Sequence, residues 1–256
     1  MSADPFLLLQ ISDTHLGADW HGADPDECLL RAVEAILDLP QRADALVISG
    51  DLTQNGTAEE YARLRELVAP LDLEPHVLPG NHDLRGVLRE AFALPGTGAE
   101  HVSYAVDLGP LRLVCLDSTI PGAEGGALDE GRVEWLEATL AAERELPTVI
   151  AMHHPPLATA VPAFDEIGLA PASRAALGEV LGRHPQVLRV IAGHVHRPIV
   201  AELAGRPVVA APSTYLQSVL KLAPAPIEMR PDPPGFALHV LLDGVLTSHV
   251  QAFRGS

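Results

Sequence analysis

Five short islands along the chain concentrate imidazole, carboxylate and amide side chains: Asp13-Thr14-His15, Gly50-Asp51, Gly80-Asn81-His82-Asp83, His153-His154 and Gly193-His194-Val195-His196. All of these groups bind divalent cations well. Seven oxygen and nitrogen donors, one per position at Asp13, His15, Asp51, Asn81, one of the His153/His154 pair, His194 and His196, exceed what a single tetrahedral ion takes. They suit two ions that share a carboxylate. Such a centre acidifies water and stabilises charge on a substrate oxygen, which is the chemistry of a dinuclear metallohydrolase; phosphate esters are its commonest substrates.

Each island has a bland reading when taken alone. Asp13-X-His15 and His194-X-His196 could be polar strand ends, although an extended backbone would put residues two apart on the same side and let both reach one ion. Asp51 alone is a turn or helix cap. Within the set it is the best bridge, because a carboxylate offers two oxygens. Asn81 alone is a turn residue, and within the set it is a neutral ligand that keeps the site electrophilic. His82 follows Asn81 directly and points elsewhere, which makes it a candidate phosphate contact or general acid on the leaving oxygen. Asp83 either orients His82 or caps the next helix, and the cap is favoured. His153 and His154 face opposite ways, so one is a ligand and the other a pocket residue. Trp20 and His21 follow the first island closely enough to reach substrate.

The elements that must position these islands are legible. Each island follows an apolar run: Phe6–Ile11, Ala45–Ser49, His76–Pro79, Thr148–Met152 and Val187–Ala192. Helical stripes fall between them, over Asp26–Leu39, Thr57–Val68 and Leu84–Phe92, and Thr57-Ala58-Glu59-Glu60 reads as a capping box. This βαβαβ order implies a parallel sheet. Val102–Asp107 and Leu111–Asp117 read as a hairpin, and helices follow near Asp129–Arg144 and Ala172–His184. The end is strand-rich, with Ile199–Leu203, Pro207–Ala211, Phe236–Leu242 and Val245–Phe253; Asp243-Gly244 is a strong hairpin turn. The Pro-rich stretch Ala223–Gly235 reads as a surface loop. Two sheets packed face to face with helices outside fit this mixture, in a single domain over residues 1–256. All five islands then lie at carboxyl ends of strands, where open α/β sheets build their sites.

Composition narrows the partners. Thirty-four acidic against 17 basic residues give a formal charge of -17, which disfavours nucleic acid polymers and anionic membranes. Bound cations would reverse that sign locally for an anionic substrate. Cys28 and Cys115 lie in apolar patterns and read as reduced thiols. No window approaches the ~20 apolar residues of a membrane span, and the start lacks a signal-peptide pattern, so a cytoplasmic protein is expected.

In this order the islands resemble the calcineurin-like metallophosphoesterase superfamily, whose pattern D-x-H, GD, GNHD, H, GHxH is matched in full. Ile11–Leu16, Met152-His153-His154-Pro155-Pro156 and Ala211-Pro212-Ser213-Thr214 further resemble bacterial class III cyclic nucleotide phosphodiesterases and their glycerophosphodiesterase relatives. The resemblance implies a four-layer αββα sandwich and two ions, of iron, manganese or zinc. Asp13, His15, Asp51 and His196 would hold one ion, and Asp51, Asn81, His153 and His194 the other. His82 would match the catalytic histidine. The implied reaction is attack on a small phosphodiester, a cyclic nucleotide above all, by a hydroxide bridging the ions. A glycerophosphodiesterase or broad-range phosphoesterase is the alternative. A non-catalytic scaffold is disfavoured because every ligand and His82 are kept. Gln54 stands three residues after Asp51, where the phosphoprotein phosphatase branch has an aspartate, so no carboxylate–imidazole pair with His82 can form there. The resemblance also implies a homodimer, and residues 214–235, with apolar Tyr215-Leu216 and Val219-Leu220, form a candidate lid or dimer segment.

Overall fold

In the computed structural model, residues 4–98 and 100–253 are described. The strands are β1 (Phe6–Ile11), β2 (Ala45–Ser49), β3 (Pro75–Leu78), β4 (Tyr104–Asp107), β5 (Arg112–Cys115), β6 (Thr148–Ala151), β7 (Val187–Ala192), β8 (Ile199–Leu203), β9 (Arg206–Ala210), β10 (Gln217–Ser218), β11 (Met229–Arg230), β12 (Gly235–Leu242) and β13 (Val245–Ala252). They form one sheet in the order β13-β12-β1-β2-β3, a second in the order β4-β5-β6-β7-β9-β8, and a small β10–β11 pair. β1, β2 and β3 run parallel, as do β5, β6, β7 and β9.

The helices are α1 (Pro25–Leu37), α2 (Ala58–Val68), α3 (Arg85–Ala91), α4 (Glu130–Ala142), α5 (Pro162–Glu166) and α6 (Pro171–Arg183). Side-chain alternation along the strands builds three hydrophobic layers. Leu8, Val47 and Leu78 of the first sheet meet Leu113, Val149 and Ile191 of the second between the sheets. Leu9, Leu46 and Ile48 turn outward against Leu29, Val33, Tyr61 and Leu64 of α1 and α2. Val114, Ile150 and Val190 pack outward against Leu136, Leu140, Leu177 and Leu181 of α4 and α6. The result is the αββα sandwich. Each layer stabilises through buried apolar area, at about 1.5–3 kcal/mol for each fully buried Leu, Ile or Val.

Local signals behave as the sequence reads. Thr57 and Glu60 form the reciprocal capping box, and Asp129 caps α4 by accepting from the Arg132 amide. The helix α5 was not read from sequence; five residues are too short to carry a 3.6-residue period. The Pro-rich stretch is a loop apart from β11, which pairs with β10 and closes a hairpin arm. No described helix is long and apolar enough to cross a membrane.

Candidate metal centre

The five islands meet where the carboxyl ends of β1, β2 and β3 face those of β6 and β7. Main-chain bonds weld them together: the Asp13 amide donates to the Gly50 carbonyl at 3.0 Å, His15 to Asp51 at 3.0 Å, and Gly193 to His153 at 3.0 Å. The His194 amide donates to the Asp13 carboxylate at 3.0 Å, and the His82 amide to Asp51 Oδ1 at 3.0 Å. Gly50 and Gly193 are needed for this closeness. A Cβ at Gly50 would strike the His153 ring, and one at Gly193 would strike Ser12 Oγ and Asp13 Oδ2.

The extended D-x-H and H-x-H geometry expected from sequence is not what the chain uses. Asp13, His15, Asp51, His194 and His196 all have positive φ, between 46° and 69°. Their side chains converge because the backbone coils in the left-handed region just past each strand. That region costs a non-glycine residue of order 1–3 kcal/mol in strain. Five such residues at one spot mark a site whose geometry the surrounding fold enforces.

Two donor sets result, both sunk in the protein. Asp13, His15, Asp51 and His196 offer ligand atoms within 4.8 Å of one another. His15 Nε2 lies 3.0 Å from His196 Nε2 and 3.5 Å from Asp51 Oδ2, and His196 Nε2 is 3.4 Å from Asp13 Oδ1. In the second set, Asn81 Oδ1 is 3.2 Å from both His153 Nε2 and His194 Nδ1. His153 Nε2 is 3.3 Å from Asp51 Oδ2, the same oxygen that faces His15. Asp51 therefore stands between the sets.

The outer nitrogens fix what the inner ones present. His15 Nδ1 donates to Gln54 Oε1 at 3.1 Å, His153 Nδ1 to the Ser49 carbonyl at 2.9 Å, His194 Nε2 to the Ile167 carbonyl at 3.0 Å, and His196 Nδ1 to the Leu216 carbonyl at 2.8 Å. A carbonyl oxygen can only accept, so each of these nitrogens carries the proton. In the neutral ring, the opposite nitrogen then offers a lone pair to the centre. Two lone pairs 3.0 Å apart, as at His15 and His196, repel unless a cation lies between them. The donor chemistry thus fits divalent metal ions.

His154 lies within ligand distance of His153 and His194. Both its nitrogens are engaged, however: Nδ1 with Ser118 Oγ at 2.9 Å, and Nε2 donating to the Glu124 carbonyl at 3.0 Å. Burial, with the nearby His153, pushes it down to about 3, so it stays neutral. Burial also holds His15 and His194 well below the usual imidazole range. For Asp51, burial acts upward, but the charge and hydrogen bond of His153, with His15 and His82, hold the carboxyl well below its ordinary value. Burial likewise opposes protonation of His153. The charge and hydrogen bond of Asp51, the Asp13 charge and the Ser49 carbonyl outweigh it and raise His153 to about 9. In the metal-free centre, one proton is thus held between His153 and Asp51.

Above the donors opens a cavity of about 520 Å³, walled by Trp20, His21, His82, Phe164, Ile227 and Met229. Trp20 packs 4.6 Å from the His15 ring and 6.2 Å from His82, while Phe164 lies 6.0 Å from His194. Tyr215 braces the Trp20 loop, its hydroxyl accepting from the Trp20 amide at 3.0 Å.

A family model described as calcineurin-like phosphoesterase matches residues 6–198. The chain belongs to that family. It is 32% identical over 260 residues to a probable glycerophosphodiester phosphodiesterase of Arcobacter nitrofigilis, covering 97% of this chain and 95% of the relative. It is 33% identical over 215 residues to a 3',5'-cyclic adenosine monophosphate phosphodiesterase of Pseudomonas aeruginosa, covering 82% and 77%. Among solved structures, a dimetal phosphatase from Danio rerio superposes with a TM-score of 0.70 at 18% identity, covering 98% of this chain and all of the other. A purple acid phosphatase from yellow lupin gives 0.73 at 17% identity, covering 98% and 52%. These two likenesses concern the fold. As a member of a metallophosphoesterase family, with named phosphodiesterases among its relatives, the chain is a hydrolase.

Asp13, His15, Asp51, Asn81, His153, His194 and His196 are all brought together. His82 lines the cavity, and its Nδ1 donates to the main-chain carbonyl of Gln54 at 3.3 Å, so a carbonyl occupies the place of the missing carboxylate partner. Asp83 overturns its expected role. Helix α3 begins after Leu84 with no side-chain cap. The buried Asp83 carboxylate instead accepts from the amides of Leu52, Thr53 and Gly80 and from the Tyr61 hydroxyl, tying the second island to the third. Burial and the Asp51 charge raise it to about 6. Glu124, Ile167, Ile227 and Met229 also line the cavity. Ile227 and Met229 fall in the candidate lid segment 214–235, whereas nothing in the sequence surroundings of Glu124 and Ile167 marks them, because only the assembled fold brings them to the cavity.

Proposed function

We propose that the chain is a two-metal phosphodiesterase that hydrolyses 3',5'-cyclic nucleotides. The observation that carries this reading is Asp51 Oδ2, which lies 3.5 Å from His15 on one side and 3.3 Å from His153 on the other. Asp13, His15, Asp51 and His196 would hold one ion. Asp51, Asn81, His153 and His194 would hold the other. Two cations so placed supply positive charge for the phosphate oxygens and an acidified water as nucleophile.

The rest of the reaction falls to this chain's own groups. Asn81 brings an oxygen without charge, which leaves the centre more electrophilic than a third carboxylate would. His82, held through Nδ1 on the Gln54 carbonyl, has Nε2 left to serve the cavity. From that position His82 can serve as the general acid to the departing alkoxide oxygen. The fixed amide and imidazole dipoles need no rearrangement as charge develops on phosphorus oxygens. Trp20 and Phe164 offer flat walls on opposite flanks of the centre for a nucleobase.

A glycerophosphodiester is the second reading. It is favoured by the near end-to-end match to the Arcobacter nitrofigilis relative. Rates on cyclic AMP, glycerophosphoethanolamine and bis-p-nitrophenyl phosphate, with metal content measured on the same samples, decide between them. Cyclic AMP should give the highest kcat/KM; preference for glycerophosphoethanolamine would favour the second reading. Elemental analysis decides among iron, manganese and zinc, since the mixed His, Asp and Asn donors accept all three.

The chain works as a single domain, with the segment 214–235 as a lid. In support, Ile227 and Met229 line the cavity, and the Ser218 amide donates to the His196 carbonyl at 3.0 Å. Exposed Leu220 and Leu222 on the same arm support a homodimer contact, which light scattering checks. The charge of -17 makes nucleic acid polymers and anionic membranes poor partners. The two buried, unbridged cysteines accord with the cytoplasm.

A further inference from the structure

The four inner imidazoles differ in what holds their outer nitrogen. His153, His194 and His196 lean on main-chain carbonyls, of Ser49, Ile167 and Leu216. His15 leans on a side chain, the amide oxygen of Gln54, at 3.1 Å. The carbonyl of the same Gln54 accepts from His82 Nδ1 at 3.3 Å. The His15 and His82 rings lie edge to face with centroids 4.9 Å apart. One residue thus grips both a metal-facing imidazole and the cavity histidine, by two different groups.

The main chain of Gln54 is fixed independently of its side chain. Its amide donates to the Leu16 carbonyl at 2.8 Å, the Leu16 amide donates to Leu52 at 3.2 Å, and Leu16 and Thr53 form a parallel bridge. A change of side chain therefore leaves the carbonyl in place. Removing the side-chain acceptor frees His15 to place its proton on either nitrogen. With the proton on Nε2, the lone pair no longer faces Asp51 and His196. Loss of such an outer partner costs about 10–100-fold in metal affinity.

We propose that Gln54 is a positioning residue with two separable duties: its side-chain amide sets the His15 tautomer for one metal site, and its carbonyl sets His82. The proposal rests on the two-metal reading above. The test uses the full chain as wild type, Gln54→Leu and Gln54→Glu. The imidazole tautomers of His15 and His82 are read by nitrogen-15 NMR on metal-free protein, and manganese and zinc affinities by titration. In Gln54→Leu, His15 should lose its pure Nδ1–H form while His82 keeps its own. One of the two sites should weaken by about 10–100-fold and the other hold. Gln54→Glu should restore both the His15 tautomer and the affinity. If Gln54→Leu does not fold, Gln54→Asn, which shortens the reach by one methylene, takes its place with the same expectations. Unchanged His15 tautomer and affinities in Gln54→Leu would overturn the proposal. So would a simultaneous change at His82, because the side chain would then be serving both rings. Wild-type protein that binds fewer than two ions sinks the two-metal reading, whereas the metal-free NMR still decides the role of Gln54.

Discussion

The floor and the rim of the cavity are built on opposite principles. The floor donors sit just past strand ends whose islands are welded together by main-chain bonds, and five of the seven, Asp13, His15, Asp51, His194 and His196, accept left-handed strain to aim inward. The rim comes from the Trp20 loop, from Phe164 on the short helix α5, and from Ile227 and Met229 on the β10–β11 arm. These are separate outer segments, with Trp20 braced by Tyr215 and the β10–β11 arm tied to the floor by the Ser218 amide donating to the His196 carbonyl at 3.0 Å. The contrast assigns the tasks. The floor supplies the donors for the chemistry, and the choice of substrate falls to the segments that wall the cavity.

Breaking the floor should have the largest effect. Asp51→Ala removes the group between the donor sets, and both bound metal and turnover should fall to background in parallel assays. His82→Ala should keep its metal and lose about 10²–10⁴-fold in kcat, the usual contribution of a general acid. Full activity would remove His82 from the chemistry. On the rim, Trp20→Ala should raise KM for cyclic AMP by about 5–150-fold, given ~1–3 kcal/mol for base stacking, with little change for glycerophosphoethanolamine. Equal effects on both substrates would make Trp20 a cover for His15 instead of a base platform.

pH sharpens the same contrast. A metal must displace the proton that His153 holds with a value of about 9. Metal affinity should therefore rise as pH increases toward 9 and fall below it, with proton release on binding seen by calorimetry in two buffers. A smaller effect lies away from both regions. His239 is buried on β12, bonded to Ser248 of β13 and to Gln10 of β1, and burial, with Arg189 nearby, pushes it down to about 3. Between about pH 6.5 and 3 the unfolded chain takes up a proton there that the folded chain refuses. Stability is then lost on acidification, by up to about 1.4 kcal/mol per pH unit. Urea midpoints of wild type and His239→Gln should converge as pH falls through this range, and parallel curves would refute it.

The floor was legible in the sequence and the rim only in part: Trp20, His21 and the segment 214–235 could be read as facing substrate, whereas Glu124 and Ile167 could not. Strand-end islands are written locally, as an apolar run followed by ligands, with a glycine between them in three of the five, and the alternation of runs with helical stripes places them. The Thr57–Glu60 capping box is equally local. What escaped was set by tertiary partners. Asp83 looks like a helix cap by position, but Leu52, Thr53 and Tyr61 claim its carboxylate. Gln54 looks like a lost carboxylate, yet its amide serves His15 and its carbonyl serves His82. The convergence of Asp13 with His15 was foreseen and its backbone was not, because left-handed residues leave no mark in hydrophobic pattern. His153 and His154 are equivalent by spacing alone; the family resemblance picks His153, and in the structure the ring nitrogens of His154 are engaged by Ser118 and Glu124.

The central claim is that one aspartate joins two cations. Crystals grown with manganese, with anomalous scattering recorded at the manganese edge, test it most directly. Two peaks per chain about 3.5–4 Å apart, with Asp51 between them, are the expected result. A single peak, or a pair that Asp51 does not join, would contradict the account.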